Sequence, residues 1–340
     1  MKSSSVNRGE SVVSAAWHRL VGKLFQLNTN FRPAWLDIKP RLKPEAWLGF
    51  ELNPQFFHWN ARKPGHLDNS IHSRYLVQPE YKSVLLGNLL VEASDVLSLE
   101  GGTVVRAVPG RKTRRIELTL PNGTKQTAYL KCYESKLSRR QRWLGSRRCE
   151  EKDLESLNEW RQILALRKLG FRTAAPMAAG WKRTGNAIRS FVMTAEIPGA
   201  VSGYDFWAAC SDPKKREFIP LLADLAKRFH QAGFIHKDFY LDHIFVAERE
   251  DDLELTIIDL QRVLGPRTFR KRWLIKDVGS MLFALQKAGA KWPMVLRFFK
   301  LYHGTRRSSG KERKFLWKAL KRAARVHEHK PKFGEPEPRN

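Results

Sequence analysis

Two stretches of this chain carry residues whose types and spacing suit phosphoryl transfer. Residues 234–246 read FIHKDFYLDHIFV, so Asp238 follows His236 closely and His243 comes a short step later. Residues 257–260 read IIDL, an apolar run that delivers Asp259. Phosphoryl transfer asks for a base at the acceptor hydroxyl, ligands for the metal that neutralises the phosphates, and a cation that holds those phosphates in line. Asp238 is the candidate base. An Asp at the C-terminal end of an apolar strand is what a metal site facing phosphates needs, and Asp259 is that Asp. Lys131 closes the apolar strand end Tyr129-Leu130-Lys131 and is the candidate phosphate cation. Glu159 lies on the next amphipathic segment, positioned to pair with it, and Asp277 lies in IKDVGS, after the metal strand. Each piece alone is common on a protein surface. The reading rests on their joint order.

Strand and helix signals supply the scaffold for that order. Residues 102–108 are β-rich, residues 109–112 (PGRK) form a turn, and residues 115–120 alternate. Pro121-Asn122-Gly123 is a hairpin turn of the Asn-Gly kind, and residues 126–133 make a third strand. Residues 154–170 place apolar side chains at steps of three and four and stop at Gly170, which marks an amphipathic helix. A strand over 190–197 ends at Pro198-Gly199. Beyond it helices are predicted over 215–232, 275–288, 292–302 and 315–326, with a hairpin of strands 243–246 and 255–260 between the first two. A strand-rich half followed by a helix-rich half is the order of an α+β, two-lobed chain. The predicted organisation is an extension over 1–92, a strand-rich lobe over 93–198, a helical lobe over 199–328 and a tail over 329–340.

Charge narrows the partners. The 340 residues hold 62 Lys+Arg against 34 Asp+Glu, a formal net charge of +28. A field of that sign favours nucleic acid, an anionic membrane surface, or a phosphorylated or carboxylated substrate. No RNA- or DNA-binding fingerprint accompanies it, which argues against nucleic acid. The cations cluster in three runs: 136–148 (KLSRRQRWLGSRR), then Arg267, Arg270, Lys271 and Arg272, then 306–325. The second run follows the metal strand and is the candidate acceptor-binding set. Together with the net charge, the three runs favour an anionic acceptor presented on an anionic membrane. The three cysteines, Cys132, Cys149 and Cys210, form no CxxC pair, so free thiols in a reducing compartment are expected. No run is long and apolar enough to span a bilayer, and residues 1–10 lack a signal-peptide core. A cytoplasmic protein, with peripheral membrane contact, is the expectation. Residues 15–27 show helical spacing and residues 31–65 are rich in Trp, Phe and Pro, but neither carries recognisable chemistry.

The order of parts follows the protein-kinase pattern of strand Lys, helix Glu, H-R-D-x-x-x-x-N loop and D-F-G strand end. Here the loop is His236-Lys237-Asp238 with His243 in the Asn position, and Asp259-Leu260-Gln261-Arg262 replaces D-F-G. In both departures the chain resembles the lipopolysaccharide core kinases of the Kdo kinase/WaaP type. The resemblance spans about 101–302 and is carried by VPGRKTRRIEL (108–118), AYLK (128–131), EWRQILALRKLGFRTAAP (159–176), VMTAEIPG (192–199), IHKDFYLDHIF (235–245) and IDLQR (258–262). It implies a two-lobed protein-kinase-like fold, ATP and Mg²⁺, and an inner-core sugar hydroxyl, Kdo or heptose, as acceptor. It implies Asp238 as base, Asp259 and His243 at the metal, and Lys131 oriented by Glu159 on the ATP phosphates. Gly110 would cover phosphate; Thr194, Glu196 and Ile197 would form the hinge at adenine. His236 and Asp277 would brace the catalytic loop. Gln261 stands where that family pattern carries His, and the 109–112 turn has a single Gly. A protein kinase, a small-molecule phosphotransferase and a non-catalytic scaffold share parts of this logic.

Overall fold

The structure, a computed structural model, describes residues 73–135, 143, 154–184, 187–249, 252–266, 271–304 and 309–328. Residues 15–27 and 31–65, the basic run 136–148 apart from Trp143, and Arg267 and Arg270 lie outside the described residues. The chain divides into two compact units, one of residues 40–210 with 233–267 and one of residues 1–39, 211–232 and 268–340.

The first unit is built on a six-stranded antiparallel sheet in the order β1-β5-β6-β4-β3-β2. Its strands are β1 (Ser73–Val77), β2 (Thr103–Val108), β3 (Arg111–Thr119), β4 (Lys125–Ser135), β5 (Pro176–Thr184) and β6 (Ala187–Ala195). The Asn122-Gly123 turn joins β3 to β4 with Gly123 at φ 81°. Alternation in β3 and β4 sorts side chains between two faces. On one face Ile116, Leu118, Ala128, Leu130 and Met193 pack on Val84, Leu85, Val96 and Leu97 of helices α1 (Lys82–Gly87) and α2 (Ala93–Ser98). On the other, Tyr133, Val192, Trp181 and Ile188 pack on Leu157 and Trp160 of helix α3 (Glu155–Lys168).

Two strands of that sheet have no counterpart in the sequence reading. β1 lies inside the segment assigned to the N-terminal extension, yet it pairs with β5 from Ser73↔Lys182 to Val77↔Ala178. β5 itself holds a run of small residues, Ala178-Ala179-Gly180, that shows no period-2 pattern because Pro176 to Trp181 is buried on both faces. Gly180 lets β1 come close: a Cβ there would lie 2.5 Å from the Arg74 carbonyl oxygen.

The same unit continues through β7 (Ala200–Ser202), helix α4 (Gly203–Ala209) and the hairpin β8 (Ile244–Arg249)–β9 (Asp252–Ile257), which form a three-stranded sheet in the order β7-β8-β9. The second unit is helical: α5 (Asp212–Gln231), α6 (Lys271–Lys287), α7 (Trp292–His303) and α8 (Gly310–Glu328). A strand-rich first half and helix-rich second half make the chain α+β.

Candidate active site

The segment 235–243 is tied to the segment 258–264 by backbone bonds in both directions. Ile235 and Leu264 exchange N–H···O bonds of 2.9 Å, and Ile258 N–H donates to His243 O at 3.0 Å. His236, fully buried, donates from Nε2 to Ile258 O at 3.0 Å. Its ring stacks on His243, with centroids 5.5 Å apart and planes 15° from parallel. Two non-glycine residues here take left-handed backbone, Lys237 at φ 73° and Asp259 at φ 57°. Such conformations cost energy and persist where packing over-determines them. The apolar run 255–260 predicts a strand through Asp259. β9 stops at Ile257 instead, because Asp259 turns left-handed and starts the 3-10 turn Leu260–Arg262.

That turn aims the Asp259 carboxylate at Lys131 of β4. Lys131 Nζ lies 3.1 Å from Asp259 Oδ1 and 2.7 Å from Glu159 Oε1 on α3. Burial alone pulls the Lys131 ammonium down, but Glu159 and Asp259 outweigh it and hold the pKa above the ordinary lysine value. Burial likewise favours a protonated Asp259. Lys131 first, then His243, overcome it and hold this carboxyl well below the usual carboxylate range. Lys131 and Asp259 are thus both charged near neutrality.

His243 bridges the two carboxylate residues of the site. Its Nδ1 is 2.7 Å from Asp238 O, and a carbonyl only accepts, so Nδ1 carries the proton. Nε2 then faces Asp259 Oδ2 at 3.3 Å. In the neutral ring both are acceptors, so the pair is satisfied by a cation, either a proton on Nε2 or a metal ion. Among the described residues no group of three metal-ligating side chains converges. A small divalent cation that takes one or two protein ligands and completes its shell with phosphate and water fits this donor set.

Asp238 is held from the other side. Arg262 Nη1 donates to Asp238 Oδ2 at 2.8 Å, so the D-L-x-R arginine reaches back to the loop carboxylate. The sequence pattern assigns Arg262 no role, and it does not mark a buried bridge between β4, α3 and the Leu260–Arg262 turn. Tyr133 OH donates to Gln261 Oε1 at 2.6 Å and lies 3.2 Å from Glu159 Oε2. Asn158 Nδ2 donates to Gln261 O and Val263 O at 2.7 and 3.2 Å. The legible signal was spacing: Tyr133 falls two residues past Lys131, on its face of the strand, and Asn158 directly precedes Glu159.

Other candidates lie as follows. Gly110 tops the β2–β3 hairpin at φ 77°, and its carbonyl accepts from Glu134 N–H at 2.9 Å. Register places Arg106, Arg111 and Arg115 on the Lys131 face, since Arg106 pairs with Thr113, Thr113 with Lys131, Arg111 with Tyr133 and Arg115 with Tyr129. Thr194 pairs with Tyr129 near the end of β6. Glu196 N–H donates to Thr127 O at 3.0 Å, its carboxylate lies 3.4 Å from Arg115 Nε, and Ile197 O accepts from Ala200 N–H at 3.3 Å. In the helical unit, buried Asp277 of α6 faces His230 Nε2 at 3.3 Å. Lys271 and Arg272 open α6.

A strand lysine ion-paired to a helix glutamate and to a post-strand aspartate, with a loop aspartate beside them, defines a protein-kinase-like phosphotransferase on this α+β scaffold. More closely, residues 97–302 match the Lipopolysaccharide kinase (Kdo/WaaP) family, and the chain belongs to it. It is 28% identical over 249 residues to the lipopolysaccharide core heptose(I) kinase WaaP of Escherichia coli K12, covering 68% of this chain and 90% of that protein. It is 25% identical over 278 residues to the Pseudomonas aeruginosa protein of the same name, covering 77% of this chain and 99% of that one. A solved structure described as WaaP in complex with acyl carrier protein is similar in fold, with a TM-score of 0.55 at 23% identity, covering 75% of this chain and 99% of that chain.

Proposed function

We propose that this kinase transfers the γ-phosphate of ATP to a hydroxyl of an inner-core sugar, a Kdo or a heptose, of lipopolysaccharide. The observation that carries the reading is the joined pair of ion contacts, Lys131–Glu159–Asp259 and Arg262–Asp238, on a chain of the lipopolysaccharide kinase family. Asp238 takes the acceptor's proton as the sugar oxygen bonds to the γ-phosphorus and the bond to the β–γ bridging oxygen breaks, releasing ADP. Arg262 fixes the orientation of that carboxylate. Lys131, oriented by Glu159, holds the nucleotide phosphates in line. Arg111 on the same sheet face adds a cation beside the hairpin, where one glycine alone offers few backbone donors. Thr194, Glu196 and Ile197 form the adenine side. Asp259 and His243 would hold Mg²⁺, which when bound neutralises phosphate charge. Lys271 and Arg272, with Arg267 and Arg270, are the proposed anchors for an acceptor bearing phosphate or carboxylate. His236 braces the loop through Ile258, and Asp277 is the proposed helical brace. The working place is the cytoplasmic face of a membrane that carries the acceptor; among the described residues no helix is long and apolar enough to cross it.

The test is direct. Purified protein, ATP and dephosphorylated inner-core oligosaccharide are combined, and the product is analysed by tandem mass spectrometry. One added phosphate is expected, with fragment ions assigning it to Kdo or heptose. Label confined to protein side chains would instead identify a protein kinase.

A further inference from the structure

Helix α8 has a surface unlike any other described helix of this chain. From Lys311 to Arg325 every exposed residue is Lys or Arg. The one acid in that stretch, Glu312, is buried at 7% exposure, where its carboxylate caps Ser309 N–H at 2.8 Å. Lys311, Lys314, Lys318, Lys321 and Arg325 recur at steps of three and four, so they form one stripe about 21 Å long at 1.5 Å per residue. The opposite face is apolar and packed: Phe315, Leu316, Ala319, Leu320 and Ala323 are buried. The packing against α6 leaves no room even for a methyl group, since a Cβ on Gly279 would lie 2.7 Å from Ala319 O. The stripe is therefore fixed in direction on a docked helix.

The cations crowd one another. Lys271 at the start of α6 has its pKa lowered, by burial first and then by Lys318 and Lys314. Like charges at i, i+4 destabilise a helix, and between Lys311 and Arg325 no exposed carboxylate offsets them. Two tryptophans flank the charges: Lys321 Nζ lies 5.0 Å from the Trp317 ring centroid, and the Arg272 guanidinium lies 5.2 Å from that of Trp273. Tryptophan beside lysine and arginine is the composition favoured at a bilayer's headgroup level.

We propose that the cationic stripe of α8 docks this kinase on an anionic phospholipid bilayer. The choice of a bilayer rests on the lipopolysaccharide reading, in which the acceptor is carried on lipid. The stripe lays a row of ammonium and guanidinium groups along headgroup phosphates while the apolar face of α8 stays in the protein.

The experiment is vesicle co-sedimentation of the full chain with phosphatidylcholine vesicles, with and without phosphatidylglycerol. Binding is expected only with phosphatidylglycerol and is expected to fall as salt rises. Replacing Lys314, Lys318 and Lys321 together by Gln should lower the partition coefficient about a hundredfold, at roughly 1 kcal/mol for each cation. The kcat for transfer to a soluble core oligosaccharide should be unchanged, because none of the three belongs to the catalytic machinery. A triple Lys→Arg variant, which keeps the charge, should bind as the parent does. Equal vesicle binding by parent and Gln variant overturns the proposal, as does absent binding by the parent. Vesicle binding that is unchanged while binding to duplex RNA is lost overturns it in favour of nucleic acid. If docking fails while the soluble oligosaccharide is phosphorylated, the docking falls alone. If vesicles bind and no sugar is phosphorylated, the kinase reading falls and the stripe stands.

Discussion

At the scale of single residues the site is a chain of charges in which each member fixes the next. Asp238 carries a partner, Arg262 at 2.8 Å, that orients it without occupying both oxygens by itself. Asp238→Asn is isosteric and removes the proposed base. It is expected to lower kcat by about 10²–10⁴-fold, the range general-base catalysis supplies. ATP affinity, read by quenching of a fluorescent ATP analogue, should hold within about threefold. A loss of affinity equal to the loss of kcat would show that Asp238 serves the nucleotide rather than the acceptor. Tyr133 is a positioning residue: it touches no reacting atom but meets Glu159 at 3.2 Å and Gln261 at 2.6 Å. Its phenol proton is held tightly, with the pKa pushed well above 10.0 by burial and then by Glu159 and Asp259. Tyr133→Phe leaves Gln261 Oε1 unmet in a buried place, worth about 1–3 kcal/mol. The expected result is a KM for ATP raised about tenfold with a smaller change in kcat. A lowered melting temperature at constant KM would make Tyr133 structural alone.

At the scale of elements, what the sequence made legible follows from which signals are local. Turn chemistry at Asn122-Gly123 and the helical spacing ending at Gly170 are local, and β3, β4 and α3 lie where those signals put them. β1 and β5 are defined by what they pack against: β5 is buried on both faces and β1 exists as a strand through its pairing with β5. No period in the chain announces either. The Tyr133–Gln261–Asn158 bridge was hidden for the same reason, because Tyr133 and Gln261 are far apart in the chain and meet only once β4 and the Leu260–Arg262 turn are in place. Lys131, Glu159 and Asp259 could be marked beforehand because their order along the chain follows a phosphotransfer pattern, although each alone is common on a surface. One element-scale consequence concerns α7. His303 on that helix is packed against Phe299 and Phe315, with ring centroids at 4.4 and 5.1 Å. Burial, and then Lys271, push its pKa down to about 3 from 6.5. The unfolded chain therefore takes up this proton near pH 6.5 and the folded chain does not. The contribution is fully present above pH 6.5 and is lost progressively as pH falls from there toward about 3. At about pH 4.5 the loss is roughly 2–3 kcal/mol, at about 1.36 kcal/mol per unit. Guanidinium unfolding of parent and His303→Gln across this range should show the parent losing stability more steeply. Parallel curves would mean that His303 titrates alike in both states.

At the scale of the whole molecule the net charge of +28 acts on stability and on binding with opposite signs under salt. An excess of 62 cations over 34 anions repels itself in the folded chain more than in the expanded one. Screening over a Debye length of about 8 Å at physiological ionic strength weakens that repulsion. Raising sodium chloride from low to physiological strength should therefore raise the melting temperature, by about 1–2 °C for each kcal/mol of repulsion relieved in a chain of this size. The same salt weakens the attraction of α8 for anionic vesicles. ATP separates a general charge effect from the site: it should raise the melting temperature further, by mass action on the folded state, at salt where chloride has no more effect. The variant Asp259→Asn with Lys131→Met keeps the surface cations and removes two charges of opposite sign, so net charge is unchanged. It should keep the chloride effect and lose the ATP increment. If the variant keeps the increment, the nucleotide is acting as a polyanion on the cationic surface, and the place of ATP at Lys131 and Asp259 is wrong.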